Sequence, residues 1–294
     1  MGLSAKFNLA ILAVFLVGFI GTGLFLRSLF VEDARQQVLQ NARIMMTAAN
    51  AIRDYTTHEI APIIGIESKG KFLAASVPSF AAQTNFRQVQ TSFPDFTYKE
   101  AALNPTNPID RSTDWEADFI NSFRQHSGQA ELIGERETPT GRSLSLARPI
   151  TIEDPACLSC HSTPDKAPAV MVQVYGTANG FGWQLHETIG AQIVSVPMAL
   201  PLAKAERTFV AFMAILFAVF LAIMVILNLL LRFVIIRPVV KVSEVANAVS
   251  LGNLEAPEYE RPGKDEIATL SQSFNRMRRS LESALKLLEE PPVT

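Results

Sequence analysis

The sequence predicts an α+β fold: a mixed domain with an antiparallel sheet, held between two transmembrane helices and followed by a helical hairpin. Three observations predict it. Two long runs lack any charge, the stretch between them mixes strand-like runs with helix caps, and the C-terminal region repeats apolar residues at heptad spacing. The chain has 294 residues, 48% hydrophobic and 18% charged, where soluble proteins carry about 25% charged residues. The deficit lies in residues 7–26, bounded by Lys6 and Arg27, and residues 208–231, bounded by Arg207 and Arg232. At ~1.5 Å rise per residue either run crosses a hydrocarbon core roughly 30 Å thick. The first exceeds a signal-peptide core and no A-x-A-like site precedes Arg27, so it reads as an uncleaved anchor.

These runs divide the chain into a short tail (1–6), a first span (7–29), a central domain (30–205), a second span (208–231), a hairpin (232–285) and a tail (286–294). Lys6 with the α-amino group, and Arg232, Arg237 and Lys241 beyond the second span, put both termini on the cytoplasmic side. The central domain is then exported, periplasmic if the membrane is a bacterial inner (plasma) membrane. A net charge of -2 and a pI near 6.1 leave no clustered basic excess, which excludes a nucleic-acid partner.

Both cysteines fall in Cys157-Leu158-Ser159-Cys160-His161, the C-x-x-C-H signature of covalent haem c attachment. The spacing lets two thiols reach the two vinyl groups of one haem while His161 approaches the iron as proximal ligand. A disulfide or a redox pair has no use for His161, and a zinc site needs ligands that are not nearby. Asp154-Pro155 and Thr163-Pro164-Asp165 place the motif on a surface loop. For the sixth position, residues 31–60 read as a helix whose stripe runs Val38, Ala42, Met45, Ala49 and Ile52. Met46 is the leading candidate, with Met45 and His58 as alternates; His58 lies on a different helix face. Core packing explains either methionine equally well, His126 and His186 read as surface residues, and an open position would suit a gas sensor.

Elsewhere Thr113-Asp114-Trp115-Glu116 is a capping box opening a helix through Trp115, Phe119, Ile120 and Phe123. Residues 96–103, 144–150, 168–175 and 190–197 read as strands, the last two as a hairpin joined by a Gly-rich turn at 176–182. No Ser/His/Asp set, glycine-rich phosphate loop or carboxylate pair stands out, so the chain is not expected to be an enzyme.

In the tail, Arg237-Pro238 is expected to end the second span. Val242, Val245 and Val249 mark one helix, stopped at Leu251-Gly252-Asn253-Leu254. Asp265-Glu266 opens another, with a seam of Ile267, Leu270, Phe274, Met277 and Leu281 and an opposite face of Glu266, Gln272, Asn275, Arg279 and Glu282. One helix cannot bury that seam alone, which predicts a homodimer with a parallel four-helix bundle. The chain stops at Glu289-Glu290-Pro291-Pro292-Val293-Thr294 with no output module, so output is expected to pass to a separate protein.

Pro238, the Gly252-Asn253-Leu254 turn and Asp265-Glu266-Ile267 followed by Phe274-Asn275-Arg276-Met277 resemble a HAMP signalling linker across 232–285. The central region resembles a family of PAS-like c-haem sensor domains. The matching residues are Arg53-Asp54-Tyr55-Thr56, Val77-Pro78-Ser79-Phe80, residues 98–105, the C-x-x-C-H run, Gly182-Trp183 and residues 189–193. The resemblance implies a PAS-like sheet holding one covalently attached haem c, with the N-terminal helix at a dimer interface. Some relatives offer a cysteine as sixth ligand, which this chain lacks. Two functions are expected: a membrane redox or gas sensor driving the HAMP-like bundle, or a tethered electron-transfer cytochrome. The partner is then a separate cytoplasmic output protein or a neighbouring membrane cytochrome complex.

Overall fold

The computed structural model describes residues 3–139, 141–253 and 255–289; Leu254 of the expected turn and residues 290–294 of the expected tail lie outside the described residues. One unit takes in residues 26–209, the other the two chain ends, up to Phe25 and from Val210.

The first helix, α1 (Leu3–Tyr55), is uninterrupted and widens into a π-type turn at Thr56–Ile60 before the short α2 (Ala61–Ile64). The cause is local: Thr56, Thr57 and the His58 ring each bond the carbonyl four residues back, at Ile52, Arg53 and Asp54. Such back-bonding competes with the helical ladder where the pitch changes. A small hairpin follows, β1 (Glu67–Ser68) and β2 (Lys71–Phe72), then α3 (Pro78–Ser92). The main sheet is antiparallel, in the order β3-β6-β5-β4, from β3 (Thr97–Ala102), β4 (Leu132–Thr138), β5 (Gly141–Thr151) and β6 (Thr188–Pro197).

Alternation along these strands builds two cores. On one face Tyr98, Leu144, Leu146, Val194 and Val196 meet Val38, Leu39, Ala42, Met46 and Ala49 of α1, with Ala82 and Phe86 of α3. On the other, Ala101, Ala147, Ala191 and Ile193 meet Ile120 and Phe123 of α4 (Asp114–Gln125). The Thr113/Glu116 capping box that opens α4 is present as expected. Strand β6 is buried on both faces because it lies between β3 and β5 with helices above and below. Gly190 is needed there, since a Cβ would strike the Ala101 carbonyl of β3.

Three strand and loop expectations are corrected. Residues 168–175 are not a strand but α6 (Ala169–Tyr175): the Pro168 carbonyl accepts from Met171 and Val172, and burial of Val170 and Met171 outweighs β propensity. The hairpin onto β6 is therefore absent, and β5 and β3 take its place. The C-x-x-C-H run is not a surface loop outside any element but a 3-10 turn, Pro155–Cys157, leading into α5 (Leu158–His161). Strand β4 was not expected because its charge hides it; it is an exposed edge, where charge is normal.

The helix α7 (Ala199–Leu230) begins in the first unit and, in the second, passes through a π-type turn, Leu231–Ile236, into α8 (Arg237–Ser250), so Arg237-Pro238 does not end the helix. Pro238 has no N–H for the Val234 carbonyl, and Arg261 supplies a guanidinium N–H at 2.7 Å instead. Arg261 also pairs with Asp265 at 2.8 Å, and Asp265 accepts from the Ala268 N–H at 2.7 Å at the start of α9 (Glu266–Glu289). Residues 286–289 belong to α9, not to a tail. Leu270, Met277 and Leu281 of the expected seam are exposed in the single chain. Asn275, expected on the solvent face, is buried and donates to the Tyr259 carbonyl at 3.1 Å, because residues 255–260 lie over that side. In the apolar runs Phe15 stacks on Phe220 at 3.3 Å, and Asn8 donates to Asn228 at 2.9 Å. Both helices are long and apolar enough to cross a membrane.

Candidate haem site

The cysteine motif is held by a capped turn. Asp154 accepts from the Ala156 N–H at 2.8 Å, and Ser159 donates to the Ala156 carbonyl at 2.6 Å. One helical turn brings positions 157, 160 and 161 to the same side. Both thiols are free and half-buried. Burial, helped by Asp154, pushes the Cys157 thiol above its ordinary pKa, and the charge of Arg53 opposes this.

His161 is the most constrained side chain of the site. Its Nδ1 lies 2.8 Å from the Gly180 carbonyl and 3.3 Å from Thr106 Oγ1. A carbonyl can only accept, so the ring proton sits on Nδ1 and Nε2 keeps its lone pair for a metal. The Trp183 indole stacks on the imidazole at 3.9 Å and 15°. Burial pushes the His161 pKa down, against the Gly180 hydrogen bond.

Two flanking segments hold that arrangement. Asn104 accepts from the Gly180 N–H at 3.2 Å and donates to the Phe181 carbonyl at 3.3 Å. Gly182 and Trp183 bond back to the Ser162 and His161 carbonyls at 2.9 and 3.3 Å. Gly180 has φ +81°, and any Cβ would collide with Thr106. Sequence reasoning missed Asn104, Thr106 and Gly180 as functional residues because they read as turn formers. The recurrence of residues 98–105 and Gly182-Trp183 in the family resemblance was the available signal.

Beside the site lies a buried polar network on the α1 face of the sheet. Arg53 pairs with Glu100; Glu100 accepts from the Tyr98 hydroxyl at 2.8 Å; Gln192 donates to Tyr98 at 3.1 Å and to Asn50 at 2.7 Å. Burial and the Glu100 charge push the Tyr98 pKa far up, so it stays a hydroxyl donor.

The other expected residues are scattered. Met46 is fully buried in the α1 core, deeper than Met45, which is half-buried at its margin. The expected Val38-Ala42-Met45-Ala49-Ile52 stripe faces the core, and Met46 widens it. His58 is exposed in the π-type turn, and His126 and His186 are exposed as expected. A groove of about 570 Å³, lined by Ile52, Tyr55, Thr56, Ile60, Phe80 and neighbours, excludes Cys157, Cys160 and His161. Among the described residues there is no group of three or more His, Cys, Asp and Glu that could hold a metal ion.

Similarity now places the molecule. The family model "Tll0287-like: Tll0287" matches residues 31–197, more than half of the chain. The chain belongs to the Tll0287-like family. A HAMP domain model matches residues 230–283, which confirms the resemblance read from Pro238 and Asp265-Glu266. No similar protein is found among curated sequences. One solved structure similar to it is the crystal structure of the cyanobacterial heme-protein Tll0287, with a TM-score of 0.43, 15% identity, and coverage of 55% of this chain and 95% of that one. In this Tll0287-like chain, two free thiols and an imidazole with Nε2 bare fit the needs of a covalently held haem.

Proposed function

We propose that this protein is a membrane-anchored c-type cytochrome that senses redox state or a diatomic gas and signals through its HAMP domain. The presentation of His161 carries the reading: a neutral imidazole, proton fixed on Nδ1 by Gly180 and ring fixed by Trp183, adjacent to two unpaired thiols. Cys157 and Cys160 would form the thioether bonds and His161 Nε2 the proximal bond. Bound haem supplies an iron whose charge changes by one on electron transfer and whose sixth position takes a further ligand. Met46 lies in the buried core that α1 forms with α3 and the sheet, and it stays a candidate sixth ligand. Met45 and His58 are the alternates to Met46, beside an open position.

In this reading the domain of residues 30–205 is periplasmic and PAS-like, and both termini are cytoplasmic. Two copies pair through the α9 seam of Leu270, Met277 and Leu281 and through an exposed α1 stripe of Ile44, Ala48, Ala51 and Tyr55. Output passes to a separate cytoplasmic protein, and no catalytic turnover is assigned. A tethered electron carrier is the second reading, favoured by one observation: half-buried Trp183 lies against the ligand imidazole, offering a π-surface for electron exchange.

The test is spectroscopy of purified protein in both oxidation states, with and without carbon monoxide and nitric oxide. A sensor swaps or loses its sixth ligand, or binds the gas. Two protein ligands kept in both states, with no gas binding, would establish the carrier. Cys160→Ala and His161→Ala test the site itself: the first is expected to weaken covalent haem retention in denaturant, the second to abolish the native spectrum.

A further inference from the structure

The buried polar network beside the haem motif has a placement that packing alone does not require. Arg53 and Asn50 are on α1, the helix whose N-terminal part is the first membrane-crossing run. Glu100, Tyr98 and Gln192 are on β3 and β6. The strand carrying Glu100 runs directly into Asn104 and Thr106, which hold Gly180 and His161. At ~3.3 Å per residue, Glu100 and Asn104 are about 13 Å apart along the chain. One end of the network thus grips the helix, and the other continues into the loop that fixes the iron ligand.

We propose that the Arg53–Glu100 pair is a positioning element that couples the charge state of the haem to α1. The inference rests on the sensor reading and names the contact through which it acts. Glu100 is buried and Arg53 half-buried, and Tyr98 and Gln192 complete the hydrogen bonds around the buried carboxylate. The groups facing the pair are Tyr98 and Asp54 around Arg53, Asp110 within reach of Glu100, and Asp154 beside Cys157. The guanidinium would be repelled and the carboxylate attracted if a bound haem gained positive charge. The two partners sit on different elements, so the response is a relative displacement of α1 and β3.

Two measurements on full-length haem-loaded protein in lipid nanodiscs test this. The first is the haem reduction potential. Glu100→Gln leaves the Arg53 charge uncompensated and is expected to favour the reduced form about tenfold, a rise of about 59 mV. Arg53→Gln is expected to favour the oxidised form by a similar factor, Arg53→Lys to stay within about twofold of the parent, and the double Gln variant to return near it. Shifts of the same sign in both single variants would overturn the proposal, because a purely structural defect has no sign.

The second is the redox-dependent change in distance between spin labels at Gln272→Cys in two copies. The double Gln variant has no uncompensated charge to impair folding; it is expected to lose that change while keeping its potential, and Arg53→Lys to retain it. A full response in the double variant refutes the coupling role. No response in the parent refutes the sensor reading instead and leaves the signs of the potential shifts to decide whether the pair acts on the haem.

Discussion

The unit of residues 26–209 and the unit of the two chain ends use apolar residues in opposite ways. In the first, helices on both sheet faces cover Leu146, Ile193, Val194 and Val196, and even the charged side chain of Glu100 finds its partner within the chain. In the second, Leu24, Ile215, Leu270 and Met277 stay exposed. The first closes a sheet core within the chain while leaving a stripe of α1 at Ile44 and Tyr55 exposed; the second leaves most of its apolar side chains uncovered in the single chain. A signalling protein profits from this split, because a closed domain can hold a ligand geometry while an open one can repack.

The sharpest way to break the comparison is to damage each core. Phe123 is fully buried against the sheet, so Phe123→Ala is expected to cost about 3–5 kcal/mol. Thermal unfolding followed at the haem band reads this, and the loss should not depend on protein concentration. Leu270→Ala with Met277→Ala should leave that transition within about 0.5 kcal/mol, since both are exposed in the single chain. Its expected effect is dissociation, read as a shift from dimer to monomer by sedimentation in detergent. A large loss of haem-domain stability there would show that the two units are not separable.

Smaller effects sharpen the contrast. Asn228→Ala removes the hydrogen bond to Asn8 and should weaken association of the spans by about 0.6 kcal/mol, measurable by the detergent dependence of helix pairing. In the first unit, burial holds the Asp110 carboxyl above its ordinary pKa, against the hydrogen bond from Gln83 at 2.9 Å. A raised carboxyl contributes stability that is complete at low pH and is lost as pH rises through its folded value. Asp110→Asn keeps an acceptor for Gln83. Its melting temperature relative to the parent should therefore rise between about pH 4 and about pH 7; a constant difference would rule the ionisation out.

Much of this fold was legible where one local rule dominates. The Thr113/Glu116 box, the β6 run and the two apolar stretches each carry a periodicity or a cap that neighbours reinforce. Errors arose where tertiary contact reverses a local preference. Val170, Val172 and Val174 favour a strand by shape, yet the segment follows a Pro168 cap and buries Val170 and Met171 as a helix. Pro238 signals a helix end, yet Arg261 satisfies the carbonyl it orphans and the helix continues. Strand β4 is too polar to announce itself, and only its pairing with β5 reveals it.

For the site, the sequence by itself determined the chemistry: two thiols and an imidazole at a spacing that one helical turn makes convergent. Residue identity and short-range spacing suffice for that, because the geometry of one turn is set by the backbone. Tertiary structure alone decided the rest. It put the Gly180 carbonyl on Nδ1 and the Trp183 indole on the ring, buried Met46 in preference to Met45, and paired Arg53 with a carboxylate 47 residues away. Those choices depend on contacts between distant segments, whose energies no local pattern records.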